Sequence, residues 1–186
     1  VATHFLPRAL KLFRAAEPRA KTQLLDLETN EMIAAIEAKK LDLALITKPH
    51  GAKWRTMEFK TLFDLPIGII VPPQHRLAGK KSVMLDEVFV EPIVAFTRNG
   101  YSDYHSWLAA TMRLSRLKPH LLADADGSTS LVADVEAGRG IAFAPPTLAD
   151  AHKGRIKYLP LSTTVPRIEV GMLMRRGKPS ELLAKM

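Results

Sequence analysis

Residues 24–47 read LLDLETNEMIAAIEAKKLDLALIT, and this stretch decides the fold class. The alternation over Gln23–Glu28 predicts a strand, and Leu41–Ile46 predicts a second, mostly apolar strand. The residues between them predict an amphipathic helix with these side chains facing inward: Met32, Ile33, Ala34 and Ile36. Because strand, helix and strand with this apolar character are typical of a parallel sheet covered by helices, we expect an α/β fold.

A helix precedes this stretch. Leu6, Leu10 and Phe13 are spaced at i, i+4 and i+7, and Pro18 ends the helix because proline disfavours helical backbone at the residue before it. A second apolar row lies beside the first: Phe5, Ala9, Leu12 and Ala16. One row can face the core while the other contacts a partner molecule.

Residues 131–145, LVADVEAGRGIAFAP, predict a helix followed by a strand. The helix covers Ser130–Ala137, and Gly138 stands where a left-handed residue ends a helix. Gly140 then lets the chain reverse into the strand Ile141–Ala144, which a proline pair ends. The two glycines do not form a dinucleotide-binding loop, because Phe143 stands at the third glycine position and that loop requires a strand before a helix.

The remaining chain predicts more alternating elements. The expected strands lie within Trp54–Phe63, Pro66–Val71, Ile93–Phe96, His120–Ala125, Lys157–Leu161 and Ile168–Met174. The expected helices are Leu85–Val90, Tyr104–Leu114 and one that starts near Pro179, and Trp107 and Phe143 are expected in the core. We therefore predict two discontinuous α/β lobes joined by two crossovers, with a ligand cleft at the carboxyl ends of the strands.

Composition excludes several classes of protein. The chain has 186 residues, 47% hydrophobic and 25% charged, and its longest apolar run is too short to span a bilayer. No leader pattern opens the sequence, and the lack of cysteine excludes disulfides and thiolate chemistry and favours a reducing compartment. The net charge of +8 is spread over separate basic pairs without a helix-turn-helix pattern, so we do not expect this chain alone to bind DNA.

No pattern in the chain predicts catalysis. The six histidines are scattered without metal-ligand spacing, so we expect no metal and no cofactor. Gly79-Lys80-Lys81-Ser82 resembles the end of a phosphate loop, but Gln74 stands where its first glycine should be. Tyr104-His105 beside Ser102 is a triad-like cluster, and adjacent helical residues point in different directions. We predict that the protein is not an enzyme.

Several motifs, in this order and spacing, resemble the effector-binding domain of LysR-type transcriptional regulators. They are Phe5-Leu6-Pro7-Arg8-Ala9-Leu10, Phe13, Pro18, Leu27-Glu28-Thr29, Lys40–Leu45, His75–Ala78, and Val132 with Ala137–Ala142 and Pro145. The resemblance covers nearly the whole chain. It implies two Rossmann-like subdomains joined by two crossover strands, a fold like that of type 2 periplasmic binding proteins.

Candidate ligand contacts lie at the N-termini of helices, where free amides and a partial positive charge suit an anion. The resemblance implies that Thr3 and Thr29 contact effector in the first lobe, and that Ser102 and Tyr104 do so in the second. Asn99 and Ser128 precede second-lobe helices, and Arg98 could pair with a carboxylate. Ser, Thr and Asn are also ordinary helix caps, which need no ligand, so Thr129 and Ser130 are interpreted first as caps.

We therefore predict the ligand-sensing domain of a bacterial LysR-type transcription factor, acting in the cytoplasm on a small, anionic organic effector. Subdomain I is expected at 1–71 plus 161–186, and subdomain II at 72–160. The resemblance implies homodimers, tetramers of the full regulator, and DNA contact through an N-terminal winged helix-turn-helix domain outside this chain. The alternative is a solute-binding protein of a transport system, which has the same two-lobed fold.

Overall fold

The computed structural model describes residues 6–48, 54–98 and 101–177, apart from the side chain of Ser102. The chain divides into two compact units, Val1–Asp64 with Glu169–Met186, called unit 1, and Leu65–Ile168, called unit 2. The chain passes between these units after residues 64 and 168, whereas the sequence predicted subdomain boundaries after residues 71 and 160. The predicted helix near Pro179 lies outside the described residues.

The described residues of unit 1 form two helices and a three-stranded sheet. The helices are α1 (Leu6–Ala16) and α2 (Thr29–Glu37), and the strands are β1 (Leu43–Thr47), β2 (Met57–Leu65) and β8 (Ile168–Arg175). The sheet order is β1-β8-β2, and β1 pairs antiparallel with β8. A small core joins helix and sheet, with Ile36, Met57 and Leu173 fully buried. The predictions of α1 and of the strand at 168–174 are confirmed.

The predicted strand over Gln23–Glu28 is wrong, and so is its parallel pairing with the following strand. Residues 21–28 form neither helix nor strand, and Leu24 and Leu25 are 58% and 48% exposed. A strand requires a neighbouring strand for its backbone hydrogen bonds, and β1 finds that neighbour in β8 from the other end of the chain. The local alternation therefore does not decide the pairing.

The inward face of α2 differs from the prediction at one position. Ile36 is fully buried and Met32 and Ile33 are half-buried, as expected, but Ala34 is exposed and Ala35 is half-buried instead. Each residue advances a helix by about 100°. Ala34, two positions before Ile36, therefore lies on nearly the opposite face.

In the part of unit 2 that the structure describes, there are five strands and four helices. The strands are β3 (Gly68–Val71), β4 (Ile93–Phe96), β5 (Leu121–Ala125), β6 (Ala142–Ala144) and β7 (Lys157–Pro160); the helices are α3 (Leu85–Phe89), α4 (Ser102–Met112), α5 (Ser128–Glu136) and α6 (Pro146–Ala151). Fully buried β3 lies between β6 and β7 and pairs antiparallel with both. The pair β4 and β5 is parallel, and a bridge between Ile93 and Ile141 connects it to β6.

Most of the predicted elements of unit 2 form within two residues of the expected bounds. Gly138 has φ of 74°, as its place after α5 predicts. Gly140 has a second role, because a Cβ there would lie 2.4 Å from the carbonyl oxygen of Pro92. Trp107 and Phe143 are confirmed as core residues, at 5% and 3% exposure.

Within the described ranges, no helix is long and apolar enough to cross a membrane. The same residues contain no group of three or more His, Asp or Glu side chains that could hold a metal ion.

Candidate functional site

The carboxyl ends of β4 and β5 lie side by side in unit 2. The two strands are parallel, and the amide of Thr97 donates to the carbonyl oxygen of Ala125 at 2.8 Å, just beyond the last residue of β4. A helix follows each strand, α4 after β4 and α5 after β5. Strand ends with following helices are where open α/β sheets place ligands, because the first helical amides are free to bind. We call this region the β4/β5 edge.

Three aromatic side chains cover the end of β4: Phe96, Tyr101 and Tyr104. The rings of Phe96 and Tyr101 are stacked, with centroids 4.4 Å apart, and Tyr104 meets Phe96 edge to face at 5.0 Å. The Tyr101 hydroxyl donates to the carbonyl oxygen of Asp126 at 3.1 Å, which connects the β4–α4 loop with the β5–α5 loop. Sequence reasoning did not single out Tyr101, because a contact between two loops leaves no periodic pattern in the sequence.

Tyr104 carries an unusual hydroxyl group. Its ring is half-buried, its oxygen is covered, and it has no hydrogen-bond partner among the described residues. Burial raises the pKa of Tyr104 above its ordinary value of 10.0, so the group stays neutral and keeps its proton at physiological pH. A buried hydroxyl without a partner costs free energy, which an acceptor oxygen on a ligand would recover. Tyr104 is thus a donor without an acceptor beside the β4/β5 edge.

Arg98 is a predicted site residue that precedes α4 in the sequence. Tyr101 is the N-cap of α4, and none of the described side chains caps the helix there. Arg98 is exposed on the rim of an open pocket of about 330 Å³, with Arg113 and His105 also lining it. The Nε2 atom of His105 lies 2.7 Å from the carbonyl oxygen of Phe96, and since a carbonyl only accepts, Nε2 carries the proton. The guanidinium of Arg98 is thus on the surface of unit 2.

Ser128 is the first residue of α5 and is exposed. The capping role belongs to Ser130, whose hydroxyl oxygen accepts from the Gly127 amide at 3.1 Å and donates to Asp126 at 2.6 Å. The interpretation of Ser130 as a cap is therefore confirmed.

Thr29 is the first residue of α2 in unit 1 and is half-buried. Next to it, the amide of Glu28 donates to the carboxylate of Glu31 at 2.9 Å, so the start of the helix is closed by a glutamate rather than by Thr29. Thr3 and Asn99, and the side chain of Ser102, lie outside the described part of the structure. Of the predicted residues, the structure thus places Tyr104 and Ser128 beside β4 and β5, Arg98 on the pocket rim, and Thr29 in the other unit.

A family model described as the LysR substrate binding domain matches residues 1–186. Among the curated relatives, the Hca operon transcriptional activator HcaR of Escherichia coli is 24% identical over 179 residues, which are 94% of this chain and 58% of that protein. The regulator TtuA of Agrobacterium vitis is 29% identical over 165 residues, covering 87% of this chain and 53% of that protein. This chain therefore spans between half and two thirds of the length of these relatives. Both relatives are named as transcriptional regulators.

Solved structures give the same fold. The effector-binding domain of QuiR in complex with shikimate superposes with a TM-score of 0.83 at 18% identity, covering 96% of this chain and 85% of that one. The effector-binding domain of BenM with its effector benzoate gives 0.82 at 19% identity, covering 96% and 81%. These matches confirm the predicted fold class. Since the family model matches the chain from end to end, the chain belongs to the LysR substrate binding domain family.

Proposed function

We propose that this chain is the ligand-sensing part of a longer LysR-type transcription factor. The family assignment and the names of the curated relatives support this role. The observation that carries it is the β4/β5 edge. No described side chain caps the N-terminus of α4 there, and the adjoining Tyr104 is a buried donor without an acceptor among the described residues.

The effector we propose is a small organic anion, and a carboxylate fits best. Free amides at a helix N-terminus favour negative charge, and a neutral tyrosine hydroxyl donates to a carboxylate oxygen. Arg98 and Ser128 add a cation and a hydroxyl from unit 2, and Asn99 and Ser102 are the other proposed contacts in this part of the sequence. QuiR and BenM, with shikimate and benzoate in their solved complexes, are precedents for this class of ligand.

The proposal includes Thr3 and Thr29 of subdomain I among the residues that contact the effector. In this proposal the effector favours one of two states of the regulator, and that change alters DNA binding by the regulator. Such control requires that the effector bind the two states with different affinity, because equal affinity shifts no population.

We also propose that the chain forms a homodimer and that the full regulator forms a tetramer. On α1, Leu10 and Phe13 are buried, while Leu12 is 63% exposed and Ala16 is also exposed, which leaves two apolar positions of the second row uncovered. Leu24 and Leu25 are also exposed, in the segment that follows Thr22, which Arg14 of α1 contacts at 3.5 Å. Phe5, in the same row, lies outside the described residues. Sedimentation of the chain at micromolar concentration tests this, and a monomer would contradict it.

In this proposal, a winged helix-turn-helix domain outside this chain binds the DNA. The regulator acts in the cytoplasm, where it has access to DNA. The length of the curated relatives supports a longer protein, because this chain covers 58% of HcaR and 53% of TtuA.

To test the sensor role, the chain is titrated with benzoate, shikimate and other small carboxylates, and the affinity is measured by calorimetry. Tyr104→Phe and Thr29→Ala should each weaken the affinity by about tenfold, the size of a lost charge-assisted hydrogen bond. Tyr158→Phe and Thr56→Ala are the matched controls, at a half-buried tyrosine in β7 and an exposed threonine. Equal affinity in wild type and both site variants would reject this placement of the site.

A further inference from the structure

Trp107 connects α4 with the segment that leads out of unit 2. Its indole N–H donates to the carbonyl oxygen of Pro166 at 2.8 Å, and its side chain is only 5% exposed. Pro166 belongs to residues 162–167, which form neither helix nor strand and lead directly into β8. The chain passes from unit 2 to unit 1 between Ile168 and Glu169. A buried hydrogen bond from α4 therefore holds the chain just before it leaves unit 2.

The same tryptophan is connected to the candidate site. Tyr104 and Trp107 are three residues apart on α4, which places them on the same side of the helix, with ring centroids 6.2 Å apart. Tyr104 in turn meets Phe96, the last residue of β4, at 5.0 Å. A continuous set of contacts thus runs from the β4/β5 edge through Tyr104 and Trp107 to Pro166.

We call residues 162–167 the exit segment, and its first residues contact another part of unit 2. The amide of Ser162 donates to the carbonyl oxygen of Val83 at 2.8 Å, and the hydroxyl of Thr163 accepts from the amide of Leu85 at 3.2 Å. Val83 and Leu85 lie at the start of α3, away from the residues of the candidate site in the sequence. The exit segment is therefore attached at one end to the body of unit 2 and, at Pro166, to the helix that carries Tyr104.

We propose that Trp107 is a positioning residue. It couples ligand binding at the β4/β5 edge to the conformation of the exit segment, which leads into the second connection between the units. This inference rests on the proposed sensor function. A ligand that engages Tyr104 moves or stiffens α4, and the indole hydrogen bond imposes that change on Pro166 and on the start of β8. Coupling of this kind requires that α4 have two arrangements. The ligand must bind one arrangement more tightly than the other, and the exit segment must also be more stable with one of them.

The first test uses the chain without ligand. Trp107→Phe keeps an aromatic side chain but removes the N–H donor, and β-(3-benzothienyl)alanine at position 107 removes the donor while it preserves the indole shape. In both variants, the amides of Thr164, Val165, Arg167 and Ile168 should exchange with deuterium about tenfold faster, because loss of the buried hydrogen bond makes local opening of the segment easier. Trp54→Phe, which changes the other tryptophan of the chain, is the control and should leave these amides unchanged. Unchanged exchange in the benzothienylalanine variant would overturn the proposal.

The second test measures transmission. The chain has no cysteine, so Glu37→Cys in unit 1 and Asp150→Cys in unit 2, both at exposed positions, place a pair of fluorophores at defined sites. Saturating benzoate or shikimate should change energy transfer between the dyes. Removal of the indole N–H should reduce that change to roughly half or less, while Trp54→Phe keeps it in full. A merely structural role of Trp107 would lower thermal stability without reducing the change at saturation.

The two proposals fail in different ways. If no carboxylate binds, the sensor function fails, and the ligand-free exchange experiment still decides whether Trp107 holds the exit segment. If a carboxylate binds and energy transfer changes equally with and without the indole N–H, the role of Trp107 is rejected while the sensor function stands.

Discussion

The hydroxyl of Tyr101 donates to the backbone carbonyl of Asp126 at 3.1 Å, across a separation of 25 residues. This bond joins the loops that follow β4 and β5, the two parallel strands at the candidate site. The bond therefore fixes the loop before α4 relative to the loop before α5.

Tyr101→Phe removes this bond and preserves the stacking on Phe96. The free energy of unfolding should fall by about 1 kcal/mol, the net value of an ordinary hydrogen bond, as measured by urea denaturation. Affinity for a bound carboxylate should fall as well, because the loops lose their connection. The control is Tyr158→Phe, and an equal loss of stability in both variants would contradict a specific role for Tyr101.

Tyr104→Phe should separate stability from binding. The Tyr104 hydroxyl is buried without a partner, so its removal should raise the free energy of unfolding by about 1 kcal/mol in the absence of ligand. The same change should weaken carboxylate binding, since the ligand loses a donor. Functional sites commonly carry such a cost in stability. A variant that is less stable and binds normally would show that the hydroxyl has an internal role instead.

The raised pKa of Tyr104 predicts a dependence of stability on alkaline pH. In the unfolded chain Tyr104 ionises near its ordinary pKa of 10.0, whereas burial raises the pKa in the folded protein. Above that pH the folded state binds more protons than the unfolded state, so the free energy of unfolding decreases as pH rises. Denaturation in urea from pH 9 to 11 should show a steeper decrease in wild type than in Tyr104→Phe. Parallel curves would contradict this assignment.

Gly140 should be intolerant of a side chain. A Cβ at this position would lie 2.4 Å from the carbonyl oxygen of Pro92, which is backbone and has little freedom to move. Gly140→Ala should lower the free energy of unfolding by about 2 kcal/mol, as expected for overpacking. Gly79→Ala is the matched control, since its Cβ meets nothing within 4 Å, and should change stability by no more than about 0.5 kcal/mol.

Lys39 has a positive φ of 61° just after α2, a conformation that costs free energy for a residue with a side chain. Lys39→Gly should therefore raise the free energy of unfolding by about 1 kcal/mol. Lys40→Gly, at the neighbouring position without a positive φ, should not stabilise the chain. A thermal denaturation series of both variants measures the difference.

Elements decided by local pattern were predictable from the sequence. The spacing of Leu10 and Phe13 gave α1, the apolar run Ile93–Phe96 gave β4, and Gly138 marked the end of α5. In each case the residues that determine the structure lie within one or two turns of one another.

Features that depend on distant residues were not predictable. The segment Gln23–Glu28 alternates like a strand but has no strand partner, while β1 pairs with β8 from the far end of the chain. Burial of Trp107 followed from its helical position, but its bond to Pro166 joins residues 59 positions apart. Candidate contacts at Thr29 and Tyr104 came from resemblance to the family, because capping and binding use the same residue types.

The pairing of Leu43 with Met174 sets an order for folding during synthesis. Unit 2 is one continuous stretch, Leu65–Ile168, so every strand of its sheets has left the ribosome before β8 is complete. The sheet of unit 1 lacks its middle strand until then, since β8 lies between β1 and β2. We expect unit 2 to fold first on the nascent chain, and unit 1, although it begins the sequence, to fold last.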